Sequence, residues 1–254
     1  MEEARRHARV ALVLRRALGL GLRVLPGDAP RVIYTTLLRP APLRAAAHRI
    51  LRGLIPAEIA LPEGRLRLNS DDPVVSGALA LGLYARQVSA RFCAAVRPGM
   101  TVVDVGANLG YYAVIALGCN APAGRVIAFE PDPANHALLL RNLLPFGDRA
   151  TARRQAVTAA PGTLTLHRHP DNKGKHSVFA APDLDAGVPV AVTLDGALAE
   201  LGRPRVDVIK LDVEGAEPLA LVGMADTLAR HRPVLFLECA PKRWGRWDDA
   251  PPPP

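Results

Sequence analysis

The sequence contains no run of about 18 uninterrupted apolar residues, so no membrane-spanning helix is expected. It lacks the basic start, short apolar core and small-residue cleavage site of a secretory leader, and secretion is not predicted. Cysteine is scarce. Cys93, Cys119 and Cys239 are odd in number, widely spaced and without a metal-ligand pattern. That usage predicts reduced, buried cysteines in a cytoplasmic protein. Lysine is almost missing, with Lys173, Lys175, Lys210 and Lys242 the four among 32 basic side chains. The arginine richness that results reads as the mark of a GC-rich genome and not of function.

What is present describes a globular chain. At 254 residues and 49% hydrophobic content it can bury one substantial core, with room for a preceding segment. The net charge of +8 has a location: residues 1–52 hold 11 arginines and three acids, and the remainder has 21 basic and 21 acidic side chains. A basic helical segment is expected over residues 1–57, with Leu43, Ala47, Ile50, Leu51 and Leu54 at helical spacing. Such a helix suits peripheral contact with an anionic membrane surface, or packing on the rest of the chain or a partner with its arginines solvated. Nucleic-acid binding is not expected, because no aromatic residue interleaves Arg5 to Arg23 and the rest of the chain is neutral.

The most informative stretch is Thr101 to Tyr112, TVVDVGANLGYY. It reads as a buried strand, a tight glycine turn and the start of a helix. Gly106 and Gly110 let the backbone turn sharply and approach a ligand, and the helix beyond offers free N–H groups. A dinucleotide fold wants G-x-G-x-x-G here. This turn instead reads D-x-G-x-N-x-G, with Asp104 ahead of the first glycine and Asn108 between the two. A carboxylate there repels a pyrophosphate and suits a cationic ligand with an amino group, such as S-adenosylmethionine.

The surroundings agree. Arg125 to Glu130 is a second buried strand, and Glu130 lies 20 residues past Gly110, the spacing at which an acid reaches ribose hydroxyls. A helix is predicted over 134–144, strands over 154–157, 207–214 and 233–238, and a single helix over 216–230. Alternating strands and helices imply a parallel sheet with helices on both faces. Asp104, Glu130, Asp212 and Glu238 then fall at strand C-termini, where such sheets bind ligands. Ahead of this unit, 58–69 reads as a hairpin around Pro62-Glu63-Gly64, followed by helices over 73–84 and 86–96. The expected divisions are 1–57, 58–98 (hairpin and helical cap), 99–240 (the cofactor-binding domain) and 241–254 (a Pro-rich tail).

VVDVGANLGYYAV, GRVIAFEPDPAN, VTLD and VDVIKLDVEGAE occur in this order and at separations that resemble the FkbM family of S-adenosylmethionine-dependent methyltransferases. The resemblance covers about Arg65 to Cys239. It implies the class I methyltransferase (Rossmann-like) fold and methyl transfer, usually to a hydroxyl of a sugar, glycan or natural product. It places the methionine part of the cofactor at Asp104, Gly106, Asn108 and the first helical turn after Gly110. The ribose falls at Glu130, and the adenine near Pro131.

Methyl transfer from a sulfonium needs an aligned acceptor, exclusion of water and, for an alcohol, a base. Asp212 is the first candidate base, with Glu214 and Glu217 following it in DVEGAE. His176 is another, since histidine titrates near neutral pH, while His167 and His169 share one strand face. Asp212 and Glu238 at adjacent strand ends suggest Mg²⁺, which is not favoured because no third oxygen ligand is evident.

Two departures stand out. Ala85 stands where many family members carry an acid. A complete class I sheet also ends in a strand hairpin, and here APKRWGRWDDAPPPP shows no strand pattern. The terminal hairpin is therefore expected to be missing, leaving an edge for Trp244 and Trp247, or a partner chain in a homo-oligomer, to cover. The alternative to an enzyme is a truncated methyltransferase-like protein that binds cofactor or a partner without turnover.

Overall fold

Prolines at the N-terminus and leucines at helical spacing set helix α1, Ala41–Leu54. Leu51 and Leu54 are half-buried, whereas Leu43 and Ile50 are exposed. Strands β1 (Glu58–Leu61) and β2 (Gly64–Arg67) form the expected hairpin around Pro62-Glu63. Helix α2 (Val75–Leu81) starts where the buried Asp72 carboxylate accepts from the N–H groups of Val74, Val75 and Ser76, and stops at Gly82, which takes the left-handed conformation. Helix α3 follows at Arg86–Ala95. The computed structural model describes residues 12–15, 17–21, 40–168, 185–187 and 190–238. The chain divides into two compact units, Met1–Ile59 with Leu68–Arg86, and Ala60–Arg67 with Gln87–Pro254.

The second unit holds the sheet. Its strands are β3 (Thr101–Val105), β4 (Arg125–Phe129), β5 (Ala150–Arg153), β11 (Val208–Leu211) and β12 (Val234–Leu237). All pair in parallel, in the order β12-β11-β3-β4-β5. The chain thus starts in the middle, runs to one edge and returns on the other side of β3. Helices α4 (Tyr111–Cys119) and α5 (Pro133–Leu143) make the crossovers between the first three strands. Short strands β6 (Gln155–Val157), β7 (Gly162–Thr163) and β10 (Val190–Val192) form a second sheet, and β8 (Leu166–Arg168) pairs with β9 (Asp185–Gly187). Helices α6 (Leu194–Glu200), α7 (Glu217–Val222) and α8 (Ala225–His231) follow, residues 12–15 and 17–21 are also helical, and a 3-10 helix, Leu144–Arg149, leads into β5. One face of the sheet packs Val103, Val105, Ile127 and Ile209 against Leu194, Leu198 and Met224.

The architecture is the expected α/β parallel sheet, with three corrections of detail. The sheet's third strand, expected over 154–157, lies earlier at Ala150–Arg153, because the chain leaves the parallel sheet at Arg154 and its continuation, β6, pairs with β10. The helix expected over 216–230 is broken at Gly223-Met224. There the helix presses on the Thr158 carbonyl, and any Cβ on Gly223 would collide with that oxygen. The cysteines expected to be reduced are not: Cys93 on α3 and Cys119 at the end of α4 form a disulfide, with a Cα–Cα distance of 5.9 Å. A separation of 26 residues hides this pairing, which exists only because the fold lays α3 against the end of α4. Cysteine usage therefore no longer argues for a reducing compartment. Among the described residues no helix is long and apolar enough to cross a membrane. His169, His176, Trp244, Trp247, Cys239 and the tail lie outside the described residues.

Replacing Gly223 by alanine should lower stability by about 1–3 kcal/mol, the usual range for overpacking. Urea unfolding should show a lower midpoint at an unchanged slope.

Candidate active site

Strand order reverses between β3 and β11, and the crevice past their carboxyl ends is where an open α/β sheet binds ligands. A cleft of about 600 Å³, its open mouth included, lies there. Its floor is the turn after β3. Gly106 holds φ +82, and a Cβ on it would run into the Asp212 carbonyl oxygen, so only glycine lets the two loops meet. The N–H groups of Gly106 and Ala107 both donate to the Phe129 carbonyl at 2.9 Å, and Asp212 N–H donates to the Val105 carbonyl at 3.0 Å.

Glu130 fixes the other wall. It is 5% exposed. Its Oε2 accepts from Asn108 N–H at 2.8 Å and its Oε1 from Asp132 N–H at 2.9 Å. Asp132 in turn caps α5, accepting from the N–H groups of Ala134 and Asn135. Burial pushes Glu130 up to about 7, against the pull of the two backbone donors. The Asn135 side chain also hydrogen-bonds this carboxylate, so three of its four acceptor positions are taken and one is left for a ligand hydroxyl.

Behind the turn lies a desolvated charge cluster. Asp104 and Lys210 sit in register on β3 and β11 and are 2% and 4% exposed. One Asp104 oxygen, Oδ2, has no hydrogen-bond partner, while the carboxyl accepts from Ala113 N–H in the first turn of α4. Burial raises Asp104 to about 7, with Lys210 opposing and Asp212 adding to the rise. Lys210 Nζ donates to Asp212 Oδ2 at 3.2 Å and stands 5.1 Å from the centre of the Tyr112 ring. Desolvation also raises Tyr112 above the ordinary phenol range. Glu238 is pushed up to about 7, first by desolvation of its carboxyl and then by Asp212, to which it is hydrogen-bonded. The residue as a whole is exposed, so its desolvation is partial.

The loop after β11 is held by Glu217, whose Oε1 accepts from the N–H groups of Val213 and Gly215 at 3.2 and 3.0 Å. Glu217 is thus a loop fastener at the start of α7. Glu214, with φ +54, and Asp212 line the cleft.

Of the cofactor residues expected from the sequence, Gly106, Asn108, Glu130 and Pro131 line the cleft, and so do Asp212 and Glu214. Asp104 lies beneath the turn, and Gly110 starts α4 with Leu139 pressed against it. Among the described residues, Asp212 and Glu238 gather no third metal-ligating side chain. The sequence reading missed two residues. Lys210 was visible as a lysine inside an apolar strand of a chain that otherwise prefers arginine. Asn142 carried no signal. It is buried on α5, donates to the Leu109 carbonyl at 2.7 Å and the Arg67 carbonyl at 3.1 Å, and accepts from Arg67 N–H at 2.8 Å. That ties the glycine turn to the hairpin.

The parallel sheet and the acid-lined cleft at its switch point are those expected from the sequence. Residues 104–250 match the methyltransferase FkbM domain, and the chain belongs to that family. It is similar to the AMB antimetabolite synthetase AmbE of Pseudomonas aeruginosa, 26% identical over 74% of this chain and 10% of that protein. It is also similar to the 31-O-demethyl-FK506 methyltransferase FkbM of Streptomyces tacrolimicus, 31% identical over 52% of this chain and 62% of that one. A third relative is the hexuronic acid methyltransferase AglP of Haloferax volcanii, 31% identical over 49% of this chain and 50% of that one. The matches span less than two thirds of each relative's length.

The raised carboxylates carry a pH dependence of stability. Asp104 titrates near 3.8 when unfolded and near 7 when folded. Between those values the unfolded chain gives up the proton first, so stability present below about pH 4 is lost as pH rises to about 7. Asp104→Asn removes this loss. Calorimetric melting from about pH 4 to about pH 8 should show the variant gaining on the wild type as pH rises. A constant difference across that range would contradict the raised value.

Proposed function

We propose that the chain is an S-adenosylmethionine-dependent methyltransferase acting on a hydroxyl oxygen of a small molecule or glycan. The observation that carries this reading is the placement of Glu130 and Asp212 on one cleft, at the ends of the two strands that flank β3. The donor set fits the cofactor. Glu130 offers a buried acceptor for a ribose hydroxyl, and the unpartnered Asp104 oxygen leaves negative potential beneath the turn for a sulfonium and an ammonium. Bound S-adenosylmethionine would supply a methyl group already activated on sulfur.

The chain's own residues then have three tasks. Gly106 and Asn108 bring backbone close to the ligand, in a turn that Glu130 keeps rigid. Pro131 and the apolar Val157 and Leu166 shape the adenine end and exclude water. Asp212, held by Lys210, accepts the proton of the acceptor hydroxyl as the oxygen attacks. Glu214 beside it lines the acceptor side of the cleft. A hydroxyl acceptor is further supported by two relatives, one described as acting on a 31-O-demethyl substrate and the other on a hexuronic acid.

Calorimetric titration with S-adenosylmethionine, with NAD as control, tests the reading. Wild type should bind the first and not the second, and Glu130→Ala should lose binding. Asp212→Asn should keep binding while methyl transfer to a hydroxylated acceptor falls by about 10²–10⁴-fold, the usual contribution of a general base. No binding by folded wild type, or a preference for NAD, would reject it.

A further inference from the structure

Away from the cleft, Glu63 in the β1–β2 turn, Cys93 on α3 and Cys119 at the end of α4 come together from three elements. Their two sulfurs and one carboxylate oxygen all lie within 4.8 Å of one another. All three residues are half-buried. Among the described residues the Glu63 side chain makes no hydrogen bond or ion pair, so a half-buried carboxylate faces two sulfurs with no cation beside it. Its seat is built: a Cβ on Gly118 would come within 2.8 Å of Glu63 Cα and 3.0 Å of its Cγ, so glycine there admits the turn against the end of α4.

We propose that, when the Cys93–Cys119 disulfide is reduced, these three residues form a zinc site, with water as fourth ligand. Two thiolates and a carboxylate are a borderline-soft donor set that suits tetrahedral Zn²⁺. Sulfurs close enough to bond each other need little side-chain movement to reach the usual Zn–S distance of about 2.3 Å. The chemistry balances. Two molecules of a small thiol break the S–S bond and leave as their own disulfide, while both cysteines become thiols. Zn²⁺ then displaces two protons to solvent as it takes the sulfurs. Disulfide and zinc exclude each other, and each joins the hairpin side or α3 to the helix whose other end carries the cleft turn.

The test uses the full chain, reduced with a phosphine, desalted without oxygen and titrated with Zn²⁺ against a chromophoric chelator. The reduced protein should bind one equivalent and the oxidised protein none. Co²⁺ should give a sulfur-to-cobalt charge-transfer band with the reduced form. Glu63→Gln should weaken zinc by at least the roughly 10-fold that loss of an outer-shell partner costs. Zinc should also protect both thiols of the wild type from alkylation, a readout that needs no variant. Failure of the reduced, folded protein to bind zinc would overturn the proposal. So would equal binding by the oxidised form, unchanged affinity in Glu63→Gln, or a fold lost on reduction that zinc does not restore.

Discussion

Glu130 is a nearly buried carboxylate whose two oxygens each accept a backbone N–H, one from the turn after β3 and one from the loop after β4. Two loops from neighbouring strands are thereby held to one point. The cleft depends on that point, because Asn108 and Pro131 on either side of it are both wall residues. An alanine there would leave two N–H groups unsatisfied in a place with little water, a larger penalty than the net value of the bonds themselves. The same carboxylate is also well placed to receive a ligand hydroxyl. A residue that shapes the pocket and also binds through it cannot be varied for one task without disturbing the other.

The second constraint is a shortage of positive charge. Asp104, Asp212 and Glu238 all feel the buried ammonium of Lys210. Desolvation raises Asp104 and Glu238 to about 7, and one ammonium among three carboxylates does not offset it. Lys210 makes its close contact with Asp212, the carboxylate that lines the cleft. The ammonium thus sits against the carboxylate that faces the cleft, while Asp104 and Glu238 hold protons more readily than free carboxylates. Resting stability falls in that arrangement as pH rises, a common condition of functional sites.

Much of this was legible in the sequence. TVVDV, RVIAF and VLFL are β-branched or apolar runs ending in acids or glycine, and they became strands with nearly those bounds. Asp104, Glu130 and Asp212 fell at strand ends because strand ends are where such runs stop. The rest needed three dimensions. Gly223 broke a helix of good periodicity because of a carbonyl 65 positions earlier in the chain, at Thr158. Asn142 joined two segments that its own neighbours do not predict. The cysteines looked unrelated because their spacing carries no pattern, and packing alone put them together. Whether Asp104 faces a ligand or the helix beneath it also depends on which side of β3 the turn closes over.

Helix α4 connects these observations. Residues Tyr112 to Leu117 are buried all round, so the helix runs through the interior and has no solvated face to adjust. Its orientation is set at its ends. At the N-terminus, Gly110 with φ +93 lets the chain enter, and Asp104 accepts from Ala113. At the C-terminus, Asn120 donates to the Met100 and Arg125 carbonyls and accepts from Arg149, and Cys119 is joined to Cys93. A buried helix of nine residues gains its position from tertiary contacts far more than from its own propensity. The turn that begins it can be only as steady as the anchors at its far end. The polar groups around Asn120 and the sulfurs of Cys93 and Cys119 therefore bear on the geometry of the cleft without touching it.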